Sequence, residues 1–464
     1  MQTNIIYGPP GTGKTTFNLL TLQKELKEHD PDKIAYMSYT RKGTYEGRDR
    51  AKEKLKLTDE ELPFFRTLHS IIFRHLGLSR SDIIQPQNYK QFSDAVGMHF
   101  TGYYTEDFKN DDDKYLFYND LYRNNPYAAD NFVNDLNPRI LNWVTKEFAR
   151  FKKELHLLDF TDILLLAIQE KYICPVEIAF IDEAQDLTTL QWQLIWIMLR
   201  DCQKVYIAGD DDQAVYEWAG ADVNYFLKLK GSTTYLTKSW RLPDRIHRYA
   251  LKVSDGIQQR IKKDFDYKKE GGCVQTLNDF RELVLNNEQT YMFLSRNSCF
   301  LKPVKKYLED KGLVYFDKEK LSFDKNIIEA IKTHTKICKG ENVSEAEKLR
   351  CKSKMKQDLK RLFKSPWYEE FYLTEEKIEY YRNIIANKTN VKNVNITVST
   401  IHGVKGGQAD NVILLLDYTR VVDKNYHKNP DSELRCYYVA VTRAKESLYL
   451  VYPSGNLGYK YLGR

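Results

Sequence analysis

The stretch NIIYGPPGTGKTT near the start of the chain constrains the fold more than any other. Gly8, Gly13, Lys14 and Thr15 stand in a G-x-x-x-x-G-K-T spacing, with Pro9, Pro10, Gly11 and Thr12 between them and Thr16 after them. A short β-rich run precedes the glycines, and the helix-like TFNLLTLQKELKE follows. In that setting glycines let backbone N–H groups close around phosphate oxygens at the positive end of a helix. Lys14 can then reach the β- and γ-phosphates, and the Thr15 hydroxyl suits Mg²⁺. β-rich runs alternate with helical stretches along the chain, which predicts an α/β protein built on parallel sheets.

A phosphate loop needs a second carboxylate on the metal side and a group that activates water. VEIAFIDEAQDL supplies both at the end of an apolar run: Asp182 as the Mg²⁺ partner and Glu183 as the base. A further stretch, AGDDDQAVYEWAGAD (208–222), leaves another apolar run, KVYIA, and is framed by glycines. It therefore reads as a loop leaving a buried strand. Its acids suggest polar chemistry, and Tyr216 and Trp218 suggest a flat, stackable partner. Taken alone, the stretch also fits an acidic loop with packed aromatics.

Composition narrows the setting. A chain of 464 residues has room for two to four domains. Hydrophobic residues at 42% and charged residues at 29% suit a soluble globular protein. The net charge of +7 permits a nucleic-acid partner through local basic patches without demanding one. The seven cysteines are scattered, with no CxxC and no Cys/His cluster, which argues against zinc, iron–sulfur and a disulfide framework and points to a reducing cytosol. No signal peptide precedes the phosphate loop, and no apolar run reaches the roughly 18 residues of a membrane span. A cytoplasmic protein without membrane association is expected.

Taken in order, these motifs resemble those of superfamily-one helicases of the UvrD/Rep type, from residue 5 to about residue 450. The resemblance implies two RecA-like P-loop NTPase cores with parallel sheets, each carrying a mostly helical insertion. MSYTRKGTYEGRDRA (37–51) matches the family's first single-strand contact motif through Tyr39, Thr40, Lys42, Glu46 and Arg50. FRTLHSI (65–71) matches the next through Thr67, His69 and Ser70, and LDFTDIL (158–164) resembles a short acidic-aromatic motif. In the family, the loop at 208–222 couples the two sites. Gln213 then resembles the γ-phosphate sensor, Tyr216 and Trp218 lie on the nucleic-acid side, and Trp218 stacks on a base.

The second half carries the rest of the resemblance. YLTKSWRLPDRI (235–246) places Arg241 on the arginine that reaches the γ-phosphate, and Trp240 replaces the tyrosine that stacks on adenine. ITVSTIHGVKGGQADNVILLL (396–416) matches through Thr400 and His402, on the nucleic-acid side, and through Lys405 and Gly406. In ELRCYYVAVTRAKESLYLV (433–451), Arg443 resembles the arginine finger, a group worth ~10³–10⁵ in turnover where tested. Three departures stand out. No upstream glutamine motif fits in the six residues before Tyr7, which predicts weak discrimination of ATP from GTP. Gly407, Gln408 and Ala409 replace a "GLEF"-like element, putting an amide at Gln408 where the family contacts ribose through glutamate. Ala219 stands where the family has arginine.

These matches set the expected organisation. The first core takes 1–71 and 149–232, with 72–148 inserted; the second takes 233–320 and 391–464, with a short basic helical insertion at 321–390. The Tyr-rich, acidic part of the first insertion reads as a solvated surface loop joining helices, with a strand-separating or partner surface as the alternative. The second insertion reads as a solvated helix face, or else a phosphate-contacting one. The resemblance implies a monomeric helicase using ATP and Mg²⁺, translocating 3′→5′ on single-stranded DNA and acting at single/double-strand junctions. Partners in a replication, repair or defence complex are compatible with it. A 5′→3′ helicase, or a nucleic-acid-stimulated ATPase subunit that remodels or signals within a complex, remains open.

Overall fold

The structure is a computed structural model. It describes the chain except residues 39–40, 105–107, 109, 130–135, 357–362 and 463–464, and the side chains of residues 41, 42, 46, 54 and 55. Two compact units divide it: Met1–Gly272 with Lys424–Thr442, and Cys273–Asp423 with Arg443–Arg464. Among the described residues no helix is long and apolar enough to cross a membrane.

The first unit is built on five parallel strands: β1 (Gln2–Tyr7), β2 (Ile34–Ser38), β3 (Ile178–Asp182), β4 (Lys204–Gly209) and β5 (Ser232–Tyr235). They lie in the order β2-β3-β4-β1-β5. Every residue of β2 and β3 is buried. Such continuous apolar runs mark strands covered on both faces. Alternation then sorts their side chains. Ile5, Ala35, Met37, Ala179 and Ile181 join one apolar cluster, while Ile34, Tyr36, Ile178 and Phe180 join another. The loops that leave β1, β3 and β4 are the phosphate loop, the Asp182–Glu183 turn and the 208–222 loop. The carboxyl ends of a parallel sheet are where such folds bind ligands.

The first insertion is a packed helical body. Helices Pro86–Val96, Asp113–Asn124, Pro126–Ala129 and Pro138–Glu154 enclose two apolar clusters. Here the expected solvated loop is corrected. Asp113–Asn124 turns Leu116, Phe117, Tyr118 and Leu121 into the interior. One of its acids is internal too. Asp113 accepts the Thr101 N–H at 2.8 Å and its hydroxyl at 2.6 Å. Beyond the insertion, Asp159 and Asp162 are reached both by its Arg123 and by Lys152, at 2.5–2.8 Å. Internal cations, not solvent, balance that charge, so acidity in the sequence did not signal exposure.

The second unit holds β6 (Cys273–Leu277), β7 (Tyr291–Ser295), β8 (Phe316–Asp317), β9 (Lys320–Leu321), β10 (Ile396–Thr400), β11 (Ala409–Leu415) and β12 (Ala444–Val451). Their order is β6-β12-β11-β7-β10-β8-β9, parallel throughout except for the β8–β9 pair. Helices Lys325–Cys338, Glu345–Lys352, Trp367–Glu370 and Glu375–Ala386 form its insertion around Phe323, Ile331, Met355, Phe371 and Tyr381. Lys325, Lys332 and Lys336 lie on an exposed face of the first of these helices, and the exposed Lys339 follows at its C-cap.

The compact division differs from the expected boundary at 232/233, because residues 233–272 pack with the first sheet. β5 pairs with β1 through Tyr235, and the segment after the helix Asp244–Ser254 inserts Arg260 and Lys263 beside Asp210–Asp212. The helix Pro430–Val441 belongs there as well, with the Tyr437 and Tyr249 hydroxyls 2.7 Å apart. The fold is thus α/β with two RecA-like parallel-sheet cores, each bearing a mostly helical insertion.

Candidate nucleotide and nucleic-acid sites

The phosphate loop joins β1 to the helix Lys14–Glu25. Gly13, at φ 86°, sits at the N-cap, and no side chain caps that helix. Its first-turn N–H groups are therefore not claimed by a capping side chain, as an anion-binding helix end requires. Gly8 leaves no space for a Cβ, which would fall 2.2 Å from the Lys14 Cγ. The Lys14 ammonium folds back to donate to the Gly8 carbonyl at 2.8 Å. The Thr12 hydroxyl donates to the Pro9 carbonyl at 2.8 Å, and Thr16 faces outward. The loop is braced by the segment after β5: the Ser239 hydroxyl donates to the Pro10 carbonyl at 2.9 Å and the Trp240 N–H to the Gly11 carbonyl at 2.8 Å. Arg241 stands against Gly11 and donates to the Thr442 carbonyl at 3.1 Å. Trp240 is 68% exposed.

Asp182 ends β3 with its carboxylate buried. Its Oδ2 accepts from the Tyr36 hydroxyl at 2.7 Å and from the Thr15 hydroxyl at 3.4 Å. Burial, with Glu183 adjacent, pushes this carboxyl up to about 6, against the pull of the Tyr36 hydrogen bond and Lys14. The hydroxyl and carboxylate oxygens of Thr15 and Asp182 are hard donors close together, a set that fits Mg²⁺. Glu183 then turns the chain with φ 53°, a left-handed conformation rare outside glycine and often found at functional sites. Its Oε2 accepts from Gln185 Nε2 at 2.6 Å, and Gln185 Oε1 in turn accepts from the Asp210 N–H at 3.0 Å.

That bond leads into the 208–222 loop. Asp210, Asp211, Asp212 and Gln213 are all buried. Gln213 Nε2 donates to Asp210 Oδ2 at 2.7 Å. The Lys263 ammonium lies 3.0, 2.5 and 3.1 Å from the carboxylates of Asp210, Asp211 and Asp212. Arg260 grips Asp212 with two bonds of 2.8 and 2.6 Å, and the Ile261 N–H donates to Asp211 at 2.8 Å. Burial alone would raise Asp210, but Lys263 and Lys14 hold its carboxyl below the usual range. Asp212 goes the other way, pushed up to about 6 by burial despite Lys263. In the sequence these acids suggested polar chemistry. The structure spends them on a buried ion cluster.

Among the expected nucleic-acid residues, Tyr39 and Thr40 and the side chains of Lys42 and Glu46 lie outside the described residues. Arg50 lies on the helix Arg41–Leu55. Thr67 caps the helix Leu68–His75 by accepting from the Ser70 N–H at 3.3 Å. His69 packs edge-on against Phe160, and burial pushes its imidazole down to about 4. Tyr216 and Trp218 are half-buried. The Trp218 ring stacks on Phe117, with centroids 6.0 Å apart and planes 22° apart. Asn125 donates to the Gly220 carbonyl at 3.0 Å, so the first insertion holds this loop directly.

The second unit carries the remaining residues. Thr400 ends β10, and His402 opens the short turn His402–Val404. Gly406 has φ 84°, and Gln408 is exposed. Arg443 is 1% exposed. Its Nη1 donates to the Gly407 carbonyl at 3.3 Å, and its own carbonyl accepts from the Ala409 N–H at 3.1 Å. The arginine is thus stitched to the altered 406–409 element.

Sequence reasoning missed Tyr36, Gln185, Arg260 and Lys263 as contributors. Gln185 carried a signal, since it stands within DEAQD. Tyr36 is one apolar-looking position of a strand, and RIKKD (260–264) has the look of a solvated charge run.

The comparisons with known proteins agree with these motifs. A family model described as the UvrD/REP helicase N-terminal domain matches residues 1–234, and one described as the UvrD-like helicase C-terminal domain matches 395–451. A probable DNA helicase II homolog of Mycoplasma pneumoniae is 23% identical over 359 residues, covering 68% of this chain and 48% of that protein. The ATP-dependent DNA helicase Rep of Buchnera aphidicola is 23% identical over 316 residues, covering 59% and 46%. The chain spans about half the length, or less, of the curated relatives it matches. A solved arterivirus nonstructural protein 10 helicase aligns with 98% of this chain and 60% of its own, at 10% identity and a TM-score of 0.38.

Proposed function

The chain belongs to the UvrD/Rep helicase family, and on that premise we propose that it hydrolyses ATP to translocate 3′→5′ along single-stranded DNA and unwind duplex. The observation that carries this reading is one continuous chain of hydrogen bonds. It runs from Thr15 to Asp182, through the Glu183 N–H and carboxylate to Gln185, and on through Asp210 to Gln213. Three loops from three strands are thereby locked into one array at the sheet's carboxyl edge.

In this reading Gly8–Thr16 wrap the phosphates and Lys14 leaves the Gly8 carbonyl for the β- and γ-oxygens. Thr15 and Asp182 would hold Mg²⁺, which neutralises charge on those oxygens when bound. Glu183 takes a proton from the attacking water while the γ-phosphoryl group leaves the ADP oxygen. Gln213 faces the γ-phosphate, and Arg241 and Arg443 offset the charge that develops there. Trp240 offers adenine a flat exposed face, and Gly406 and Gln408 serve the nucleotide as well. Tyr39, Thr40, Thr67, His69, Tyr216, Trp218, Thr400 and His402 contact the strand.

The test is a pair of fluorescent duplexes, one with a 3′ single-stranded tail and one with a 5′ tail, given ATP and Mg²⁺. Unwinding of the 3′-tailed duplex alone supports the proposal. Unwinding from the 5′ tail reverses the polarity. DNA-stimulated hydrolysis with neither duplex opened leaves an ATPase that acts within a complex.

A further inference from the structure

We infer that Lys263, which lies in none of the matched motifs, is a positioning residue for hydrolysis acting through Asp210 and Gln213. The inference rests on the proposed reading of Gln213 as the group facing the γ-phosphate. Three observations converge on it. First, among the described residues Lys263 is the only cation at ion-pair distance from Asp210, with Nζ 3.0 Å from Oδ1. Asp210 Oδ1 also accepts the Asp212 N–H, at a longer 3.3 Å, while Arg260 grips Asp212 and the Ile261 N–H serves Asp211. Second, the opposite oxygen of Asp210, Oδ2, accepts from the Gln213 amide at 2.7 Å. A carboxylate held at one oxygen is oriented at the other, so the ammonium, together with the Asp212 N–H, orients the oxygen that accepts the Gln213 amide. Third, the Asp210 N–H anchors Gln185, which holds the Glu183 carboxylate. Lys263 therefore stands behind both the γ-phosphate side and the water side of the array.

Chemistry explains why lysine suits the place. A single ammonium has three hydrogens that can point at three carboxylates converging on one atom, whereas a guanidinium spreads its five N–H donors in a fixed plane. Arg260 shows the fork in use on Asp212. Lys263 shows the three-way contact, buried where a pairing cation matters most. An arginine at 263 would keep the charge and lose the three-way geometry. Its effect therefore reports position and not charge.

A purely structural role would tie residues 254–266 to the sheet and leave Gln213 indifferent. Lys263→Arg, Gln213→Ala and the double variant separate the two. Each is measured for melting temperature, for affinity towards a fluorescent non-hydrolysable ATP analogue, and for turnover with single-stranded DNA. Lys263→Arg is expected to keep analogue affinity within about threefold and to lower turnover about tenfold or more. In the Gln213→Ala background the same change is expected to cost less than about twofold, because the group it positions is gone. If Lys263→Arg melts early, Lys263→Met with Asp211→Asn removes one charge of each sign, and the same cycle is run on that pair. Full turnover in either Lys263 variant, or losses that multiply with Gln213→Ala, would overturn the inference. If Gln213→Ala alone turns over like the parent protein, the assignment of Gln213 itself has failed, which is a distinct result.

Discussion

Replacing Trp218 by alanine separates two roles that its surroundings allow together. The ring is half-buried and packs on Phe117, within a cluster containing Tyr118 and Leu121. Truncating a fully buried tryptophan costs about 3–5 kcal/mol. Scaled to half burial, and including an aromatic pair of about 0.5–1.5 kcal/mol, the expected loss is about 3 kcal/mol. For a unit of this size that corresponds to a fall in melting temperature of about 5 °C. If the open part of the ring also carries a base, affinity for single-stranded DNA falls by about 1–3 kcal/mol, roughly tenfold. Trp218→Phe keeps a ring against Phe117, so it should recover most of the melting loss and only part of the binding. Melting by scanning fluorimetry, and anisotropy titration of a labelled oligonucleotide at two salt concentrations, read both quantities on the same protein. An unchanged melting temperature in Trp218→Ala would refute the packing argument. Unchanged DNA affinity would refute the base platform.

Lys14→Ala and Glu183→Gln should both abolish turnover, the first by weakening nucleotide binding and the second while bound ATP persists; near-normal steady-state hydrolysis by Glu183→Gln would remove Glu183 from its role. His69 gives a pH dependence. Burial lowers its folded pKa to about 4, so the unfolded chain takes up the proton first. Stability is then complete above the unfolded value of about 6.5 and is lost as pH falls towards 4, by about 3 kcal/mol in total. His69→Gln should flatten that part of the urea-midpoint profile, and an unaltered profile would show that the imidazole is hydrated. Arg123 reaches Asp159 and Asp162 beside Lys152, and Arg123→Met leaves that pair of carboxylates with half its cations. A loss of about 3 kcal/mol in urea unfolding is expected, and a loss below about 1 kcal/mol would mean that solvent already screens the network.

Local spacing pointed to Lys14, Thr15, Asp182 and Glu183, and the family resemblance added Gln213. Asp182 ends a strand and the others follow a strand end within eight positions, and a parallel sheet brings its strand ends to one edge whatever the order of its strands. Glycine at 13 and the helix after it are equally local, since a left-handed residue and an uncapped first turn are properties of a few neighbouring positions. The partners of those residues were decided by tertiary structure alone. Tyr36 meets Asp182 across 146 positions, and Lys263 meets Asp211 across 52. Acidic and basic runs such as DDD and RIKKD look alike in sequence whether water or an opposite charge balances them. The same holds for the Tyr-rich insertion, where Asp113 turned inward onto Thr101, and for Asp159 just after it, which Arg123 and Lys152 meet. Burial of a charge depends on whether its complement arrives in space, and separation along the chain carries no record of that arrival.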